Sequence, residues 1–194
     1  MTFPGLHAIV LAAGASSRFG SPKQLATFEG RPLLQNVIAL ASEVVGRRVT
    51  VVLGASSDTI GPSLVDSNAA IVVNAQWRDG MSSSIHAGVM SLPPDCDAAL
   101  LLLADQPAVT AQDLRRLCEV WEADRARLAA AAFSGILGAP AIFPRSCFPE
   151  LLALRGDRGA QPVLQRHRDR LIAVPMENAA LDVDSPEDLE RLYR

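Results

Sequence analysis

An unbroken apolar run, Ala98-Ala99-Leu100-Leu101-Leu102-Leu103-Ala104, limits what this chain can fold into. It is far shorter than the ~18 residues a membrane span needs. It also lacks the polar alternation of a strand with one wet face, so it reads as a strand covered on both sides. Four more runs share this character: His7–Ala12, Arg48–Leu53, Ala70–Asn74 and Leu128–Phe133. Helical patterns fall at Pro32–Val45, Ser57–Val65, Ser82–Leu92, Ala111–Asp124, Cys147–Leu154, Pro162–His167 and Ser185–Arg194. Pro32 suits a first helical turn. Thr110 with Asp113 reads as a cap with an acidic first turn, and Ser185 with Pro186 as a cap followed by a proline. The alternation predicts an α/β fold, a Rossmann-like, doubly wound, mostly parallel sheet in a single domain over residues 1–194. In such sheets ligands bind beyond the carboxyl ends of the strands.

Composition narrows the function classes. At 194 residues and 49% hydrophobic content the chain can bury one sizeable core. A net charge of −3 gives no basic excess to suggest nucleic acid. Cys96, Cys118 and Cys147 are widely spaced and form no C-x-x-C pair, which argues against a disulfide scaffold or zinc site and fits a reducing cytoplasm. No signal peptide or membrane segment is expected.

The positive charge that exists is local. After the first apolar run comes Leu11-Ala12-Ala13-Gly14-Ala15-Ser16-Ser17-Arg18-Phe19-Gly20-Ser21-Pro22-Lys23-Gln24-Leu25. Small residues between Gly14 and Gly20 leave backbone N–H groups free to face an anion. Arg18 offers a planar fork and Lys23 a point charge to phosphate oxygens. A nucleoside triphosphate suits this arrangement; so does the plainer reading of a solvated loop. The P-loop pattern is absent, because Gly20 is followed by Ser21 and Pro22. The G-x-G-x-x-G dinucleotide pattern is absent too.

Other polar stretches invite chemistry. Asp105-Gln106-Pro107 follows the Ala98–Ala104 run, and a carboxylate there suits Mg²⁺ or simply ends a strand at a turn. Asp182 and Asp184 share one side of an extended segment. Glu187 and Asp188 are explained by the helix that Ser185 caps; Asp184 is not. Asp79-Gly80-Met81-Ser82-Ser83-Ser84 opens a helix with more hydroxyls than one cap requires. Arg155, Asp157 and Arg158 lie in a glycine-rich stretch that reads as a surface turn, or as a site where Arg155 and Arg158 meet a phosphate.

The loop from Leu11 to Leu25 resembles the signature loop of the nucleotidyltransferases related to the molybdenum-cofactor guanylyl- and cytidylyltransferases, and family-like stretches recur to the C-terminus. The Ala12-Ala13-Gly14 triplet resembles the cytidylyltransferase branch. The resemblance implies the nucleotide-diphospho-sugar transferase type of fold. It implies nucleotide binding by Leu11, Ala12, Ala13, Gly14, Arg18, Lys23, Gly80 and Ser82, with Arg18, Lys23 and Asp105 catalytic. It makes Asp105 and Asp184 ligands of Mg²⁺, with Asp182 a weaker candidate, and puts Arg155, Asp157 and Arg158 on the acceptor side. CTP is the implied donor, molybdopterin the implied acceptor, and a molybdoenzyme the client. Gly138-Ala139-Pro140 and Gln161 depart from the family pattern, which leaves the acceptor open. A sugar or polyol phosphate is one alternative; a non-catalytic pterin- or nucleotide-binding accessory protein is another.

Overall fold

The computed structural model describes residues 2–193. Its strands are β1 (Leu6–Ala12), β2 (Thr27–Phe28), β3 (Arg31–Pro32), β4 (Val49–Leu53), β5 (Ala70–Val73), β6 (Ala98–Leu103), β7 (Ala129–Phe133), β8 (Ile136–Pro144) and β9 (Ile172–Pro175). Its helices are α1 (Leu33–Val45), α2 (Ser57–Ile60), α3 (Met81–Met90), α4 (Ala111–Ala123), α5 (Phe148–Leu152), α6 (Gln161–Arg166) and α7 (Pro186–Arg191). Seven strands form one sheet in the order β5-β4-β1-β6-β8-β7-β9, and β2 pairs with β3 apart from it. Only β8 runs against its neighbours in the large sheet. The expected doubly wound, mostly parallel architecture is present.

The apolar runs become strands because both faces of the sheet are covered. Along β1, Ala8, Val10 and Ala12 join a core shared with α1 and α4. Ile9 and Leu11 point the other way, into a core shared with α3, α5 and α6. A strand with two buried faces has no use for polar alternation. α4 begins as expected, with Thr110 and Asp113 forming a reciprocal capping box. Ser185 and Asp188 do the same for α7, with Pro186 at its start. The expected last helix stops at Arg191, and its predicted end at Arg194 lies outside the described residues.

Several boundaries differ. Pro32 does not enter the first helical turn; it lies in β3 with an extended ψ of 139° and precedes α1. The helical pattern at Ser57–Val65 breaks after Ile60 into a 3-10 turn containing Pro62. β5 is a sheet edge rather than a doubly covered strand, with Val73 59% exposed. β8 and β9 have no counterpart in the sequence reading. Gly138 and Pro140 disguise β8 as a loop. In the structure its register with β7 jumps between Ala130 and Ala131, so Ala139 and Pro140 fall in a bulge. A proline tolerates that position because no ladder hydrogen bond is asked of its nitrogen.

The chain goes from β1 outward to β4 and β5, then returns to β6 on the other side of β1. The carboxyl ends of β1 and β6 therefore flank the switch point, where doubly wound sheets open a crevice.

Candidate active site

The loop leaving β1 is folded around one amide. Gln24 is buried, and its Nε2 donates to the carbonyls of Ala12 (3.0 Å) and Gly14 (3.2 Å). Its Oε1 accepts from Ser16 Oγ at 3.2 Å, and Ser16 Oγ accepts from the Lys23 backbone N–H at 3.2 Å. Losing a buried amide of this kind costs roughly 1–3 kcal/mol for each partner left unsatisfied. The loop's shape is thus set from inside, leaving its outer rim to the side chains of Ser17 and Arg18.

Lys23 points inward. Its Nζ donates to Asp105 Oδ2 (2.7 Å), the Val183 carbonyl (2.9 Å) and Asp184 Oδ1 (3.0 Å). Arg18 donates from Nη2 to Asp184 Oδ2 at 2.8 Å. Asp105 arrives directly from the end of β6. Asp184 is brought to it by a backbone bond, Val183 N–H to Asp105 O at 2.8 Å. Burial alone works to lower the Lys23 pKa, but the carboxylates of Asp105 and Asp184 hold it above its ordinary value. The hydrogen bond from Lys23 pulls Asp184 below the usual carboxylate range, with Arg18 adding to it. Asp182, at the rim, is pushed up to about 6, first by desolvation and then by the charge of Asp105.

Arg18, Lys23, Asp105 and Asp184 line a cavity of ≈ 270 Å³, together with Leu11, Ala12, Ala13, Gly14, Trp77, Met81 and Ser84. Asp105 Oδ1 is buried and has no hydrogen-bond partner among the described residues. An orphaned carboxylate oxygen beside a second carboxylate is an oxygen-only donor set, and it fits a hard divalent cation. A second cavity of ≈ 230 Å³ adjoins the first and shares Leu11, Met81, Leu103 and Asp157 with it. Its walls are mainly apolar, among them Phe133, Leu137, Phe143 and Leu164, with Gln106, Arg158 and Asp182 supplying polar groups.

The structure brings Leu11, Ala12, Ala13, Gly14, Arg18, Lys23, Asp105 and Asp184 to one cavity. It places others differently. Gly80 and Ser82 lie outside that lining and join α3 to the 156–159 loop. Ser82 donates its backbone N–H to Gly156 O at 3.1 Å. A Cβ on Gly80 would lie 2.6 Å from Gly156 O, at a φ of +95°. The cavity is faced instead by their neighbours Met81 and Ser84. Arg155 is turned away, donating to the carbonyls of Leu152 and Leu154 at the end of α5. Asp157 accepts from the Met81 N–H at 3.0 Å, so it caps α3 while lining both cavities. Arg158 faces the apolar cavity, as does Asp182, which does not line the first one.

Sequence reasoning missed two residues. Gln24 was visible only as part of a motif, since a lone glutamine carries no sign of burial. Trp77 left a better signal: it is a large aromatic in an otherwise polar turn, Asn74 to Gly80.

The model of the MobA-like NTP transferase domain matches residues 8–171. Nicotine blue oxidoreductase of Paenarthrobacter nicotinovorans is 30% identical, over 97% of each chain. Rv0371c of Mycobacterium tuberculosis H37Rv superposes with a TM-score of 0.84 at 26% identity, over 96% of each chain. Its complex with manganese gives 0.80 at 25% identity, over 96% of this chain and 97% of that one.

Proposed function

The chain belongs to the MobA-like NTP transferase family of nucleotidyltransferases, and from that premise we propose that it transfers a nucleoside monophosphate to a phosphorylated acceptor. One observation carries the reading: Arg18, Lys23, Asp105 and Asp184 converge at the carboxyl ends of β1 and β6, beside a cavity backed by the Leu11–Gly14 backbone. An acceptor phosphate oxygen bonds to the α-phosphorus, the bond to the β-phosphate oxygen breaks, and pyrophosphate leaves. Both reactants are anions, so the demand is for charge neutralisation and alignment rather than for a strong base.

Arg18 and Lys23 supply fixed positive charge to the triphosphate and to the departing pyrophosphate. Asp105 and Asp184 would hold a divalent cation, Mg²⁺ by its preference for oxygen, which supplies further charge neutralisation at the reacting phosphate. The manganese complex of Rv0371c supports a divalent ion in proteins of this kind. Asp157, by capping α3, positions the loop that presents Arg158 to the acceptor.

We assign CTP as donor and a molybdopterin-type phosphate as acceptor, with a molybdoenzyme as client. The donor assignment rests on Ala12 and Ala13, which narrow the end of β1. The buried free thiols of Cys96, Cys118 and Cys147 suit a reducing, cytoplasmic setting. Screening nucleoside triphosphates with molybdopterin for pyrophosphate release tests the proposal. Release with CTP is expected. Release only with sugar or polyol phosphates changes the acceptor, and release with none leaves a binding protein.

A second reading has one observation behind it, the 30% identity over 97% of its length to a protein named an oxidoreductase. It predicts redox turnover of a small organic substrate without pyrophosphate release, and an assay of substrate reduction or oxidation run beside the screen separates it from both a transferase and a binding protein.

A further inference from the structure

We infer that Trp77 is the stacking platform for the nucleobase, a residue that gives nucleotide affinity without reading base identity. The inference rests on the nucleotide reading above. Trp77 is the sole aromatic residue lining the first cavity, the one that holds Lys23 and Asp105, among the described residues. It shares that lining with Leu11–Gly14, and the approach of its Cβ to Ala13 is built in. A Cβ on Gly54 would fall 2.7 Å from the Trp77 Cβ and 2.6 Å from the Ala13 carbonyl oxygen. Only glycine at position 54 lets the Trp77 Cβ and the β1 end lie this close.

The turn that carries Trp77 is held firmly. Asn74 is buried and donates from Nδ2 to Ser83 Oγ (2.8 Å) and Ser84 Oγ (3.1 Å), while its Oδ1 accepts from the Gln76 N–H at 2.9 Å. Ser83 Oγ in turn donates to the Gln76 carbonyl at 2.8 Å. Two of the three serines at the start of α3 therefore fix the Trp77 turn. The Arg78 guanidinium lies over the indole, 4.4 Å from its centroid, and screens that side from water. A half-buried tryptophan that is rigidly mounted in a polar cavity is suited to a flat π-face. Every base has such a face, so stacking on it adds affinity with little choice among bases.

The test separates base from phosphate. Binding of CTP, GTP and inorganic tripolyphosphate, each with Mg²⁺, is measured on the full chain and on Trp77→Ala and Trp77→Leu. Leucine keeps apolar bulk and removes the ring. Both variants should weaken CTP and GTP by about 5- to 150-fold, the usual range for one stacked base. Tripolyphosphate affinity should not change. Nucleotide should also quench tryptophan fluorescence where tripolyphosphate does not, since Trp121 is fully buried in α4 and silent to solvent. Equal weakening of all three ligands, or of none, overturns the platform while leaving nucleotide binding standing. Failure of the unaltered chain to bind any of them overturns both.

Discussion

Lys23 Nζ has three oxygens around it, two of them from the carboxylates expected to hold a divalent cation. An ammonium and a metal ion cannot both sit there, so they compete. Lys23→Met should tighten Mn²⁺ binding in the absence of nucleotide, by about tenfold if the lost pair is worth about 1.4 kcal/mol, while turnover falls. Titration calorimetry with Mn²⁺ checks the first part, and unchanged Mn²⁺ affinity would show that the ammonium does not compete. Asp105→Asn should nearly abolish turnover with the fold intact, because it keeps the side chain's shape and loses the charged oxygen. Near-normal rates at ordinary Mg²⁺ would remove Asp105 from the metal site. Asp182 behaves in the opposite sense to Asp184. Its pKa is raised to about 6 from 3.8, so its charge is a strain on the fold at neutral pH that protonation relieves as pH falls through 6 toward 4. Asp182→Asn should raise stability at pH 8 by at most about 1 kcal/mol after allowance for solvent screening at the rim, and change little at pH 4. Denaturant melts at the two pH values measure it.

Helix starts do much of the positioning at the scale of elements. α3 begins with its N-terminus packed on the 156–159 loop, and the absent Cβ of Gly80 makes that possible. Gly80→Ala would put a methyl group on the Gly156 carbonyl and force φ = +95° on an L-residue. A loss of roughly 1–3 kcal/mol is expected from the backbone strain alone, with Asp157 displaced from its cap. A melting temperature within a degree of the parent's would refute the close approach. α4 is stabilised by a different device, the reciprocal bonds between Thr110 and Asp113. Burial works to raise the Asp113 pKa, but hydrogen bonds from Thr110 and Asn178 prevail and lower it. That stability is present above the ordinary carboxylate pKa and is lost as pH falls through the lowered one. Thr110→Ala should cost about 1 kcal/mol, measurable by denaturant unfolding at pH 7.

At the scale of the whole molecule, the signature loop and the C-terminal segment meet at the site. Phe28, Leu33 and Val183 form a small core with Phe19 of the signature loop and Leu189 and Leu192 of the C-terminal segment. Phe28 also meets Tyr193, with ring centroids 5.3 Å apart. This cluster holds the segment bearing Asp184 against the loop bearing Arg18. Val183→Ala should therefore damage more than a local cavity would suggest, loosening the Arg18–Asp184 pair along with the fold; core truncations of this size cost about 1–3 kcal/mol. Nucleotide affinity that stays at the parent's value would contradict the link. Donor choice also belongs to this scale, because the cavity proposed for the nucleotide is walled by several elements. CTP should outcompete GTP and ATP at equal concentration, by a margin within the roughly 10- to 200-fold that shape exclusion gives. Preferential GTP incorporation would overturn the cytidylyl assignment and leave the transfer reaction standing.

Local chemistry was legible in the sequence. Doubly buried strands write themselves as unbroken apolar runs, so β1, β4 and β6 could be read with the crevice at their ends. Capping boxes are local, so Thr110 and Ser185 were readable too. The charged loop residues and Asp105 stand out because they interrupt or follow apolar runs. What depends on partners far away in the chain was not legible. β8 became a strand because β6 and β7 pair with it on both sides, which outweighs its Gly138 and Pro140. β5 became an edge because no strand lies beyond it, although its composition matches that of a covered strand. Gly80 and Ser82 were drawn away from the cavity by the 156–159 loop, and Trp77 was set into it by Gly54 and Asn74. The meeting of Lys23 with both Asp105 and Asp184 needed the Val183–Asp105 backbone bond. Side-chain periodicity is dictated by the backbone within a few residues, whereas a site's geometry is dictated by which distant backbones approach, and that is decided only when the core packs.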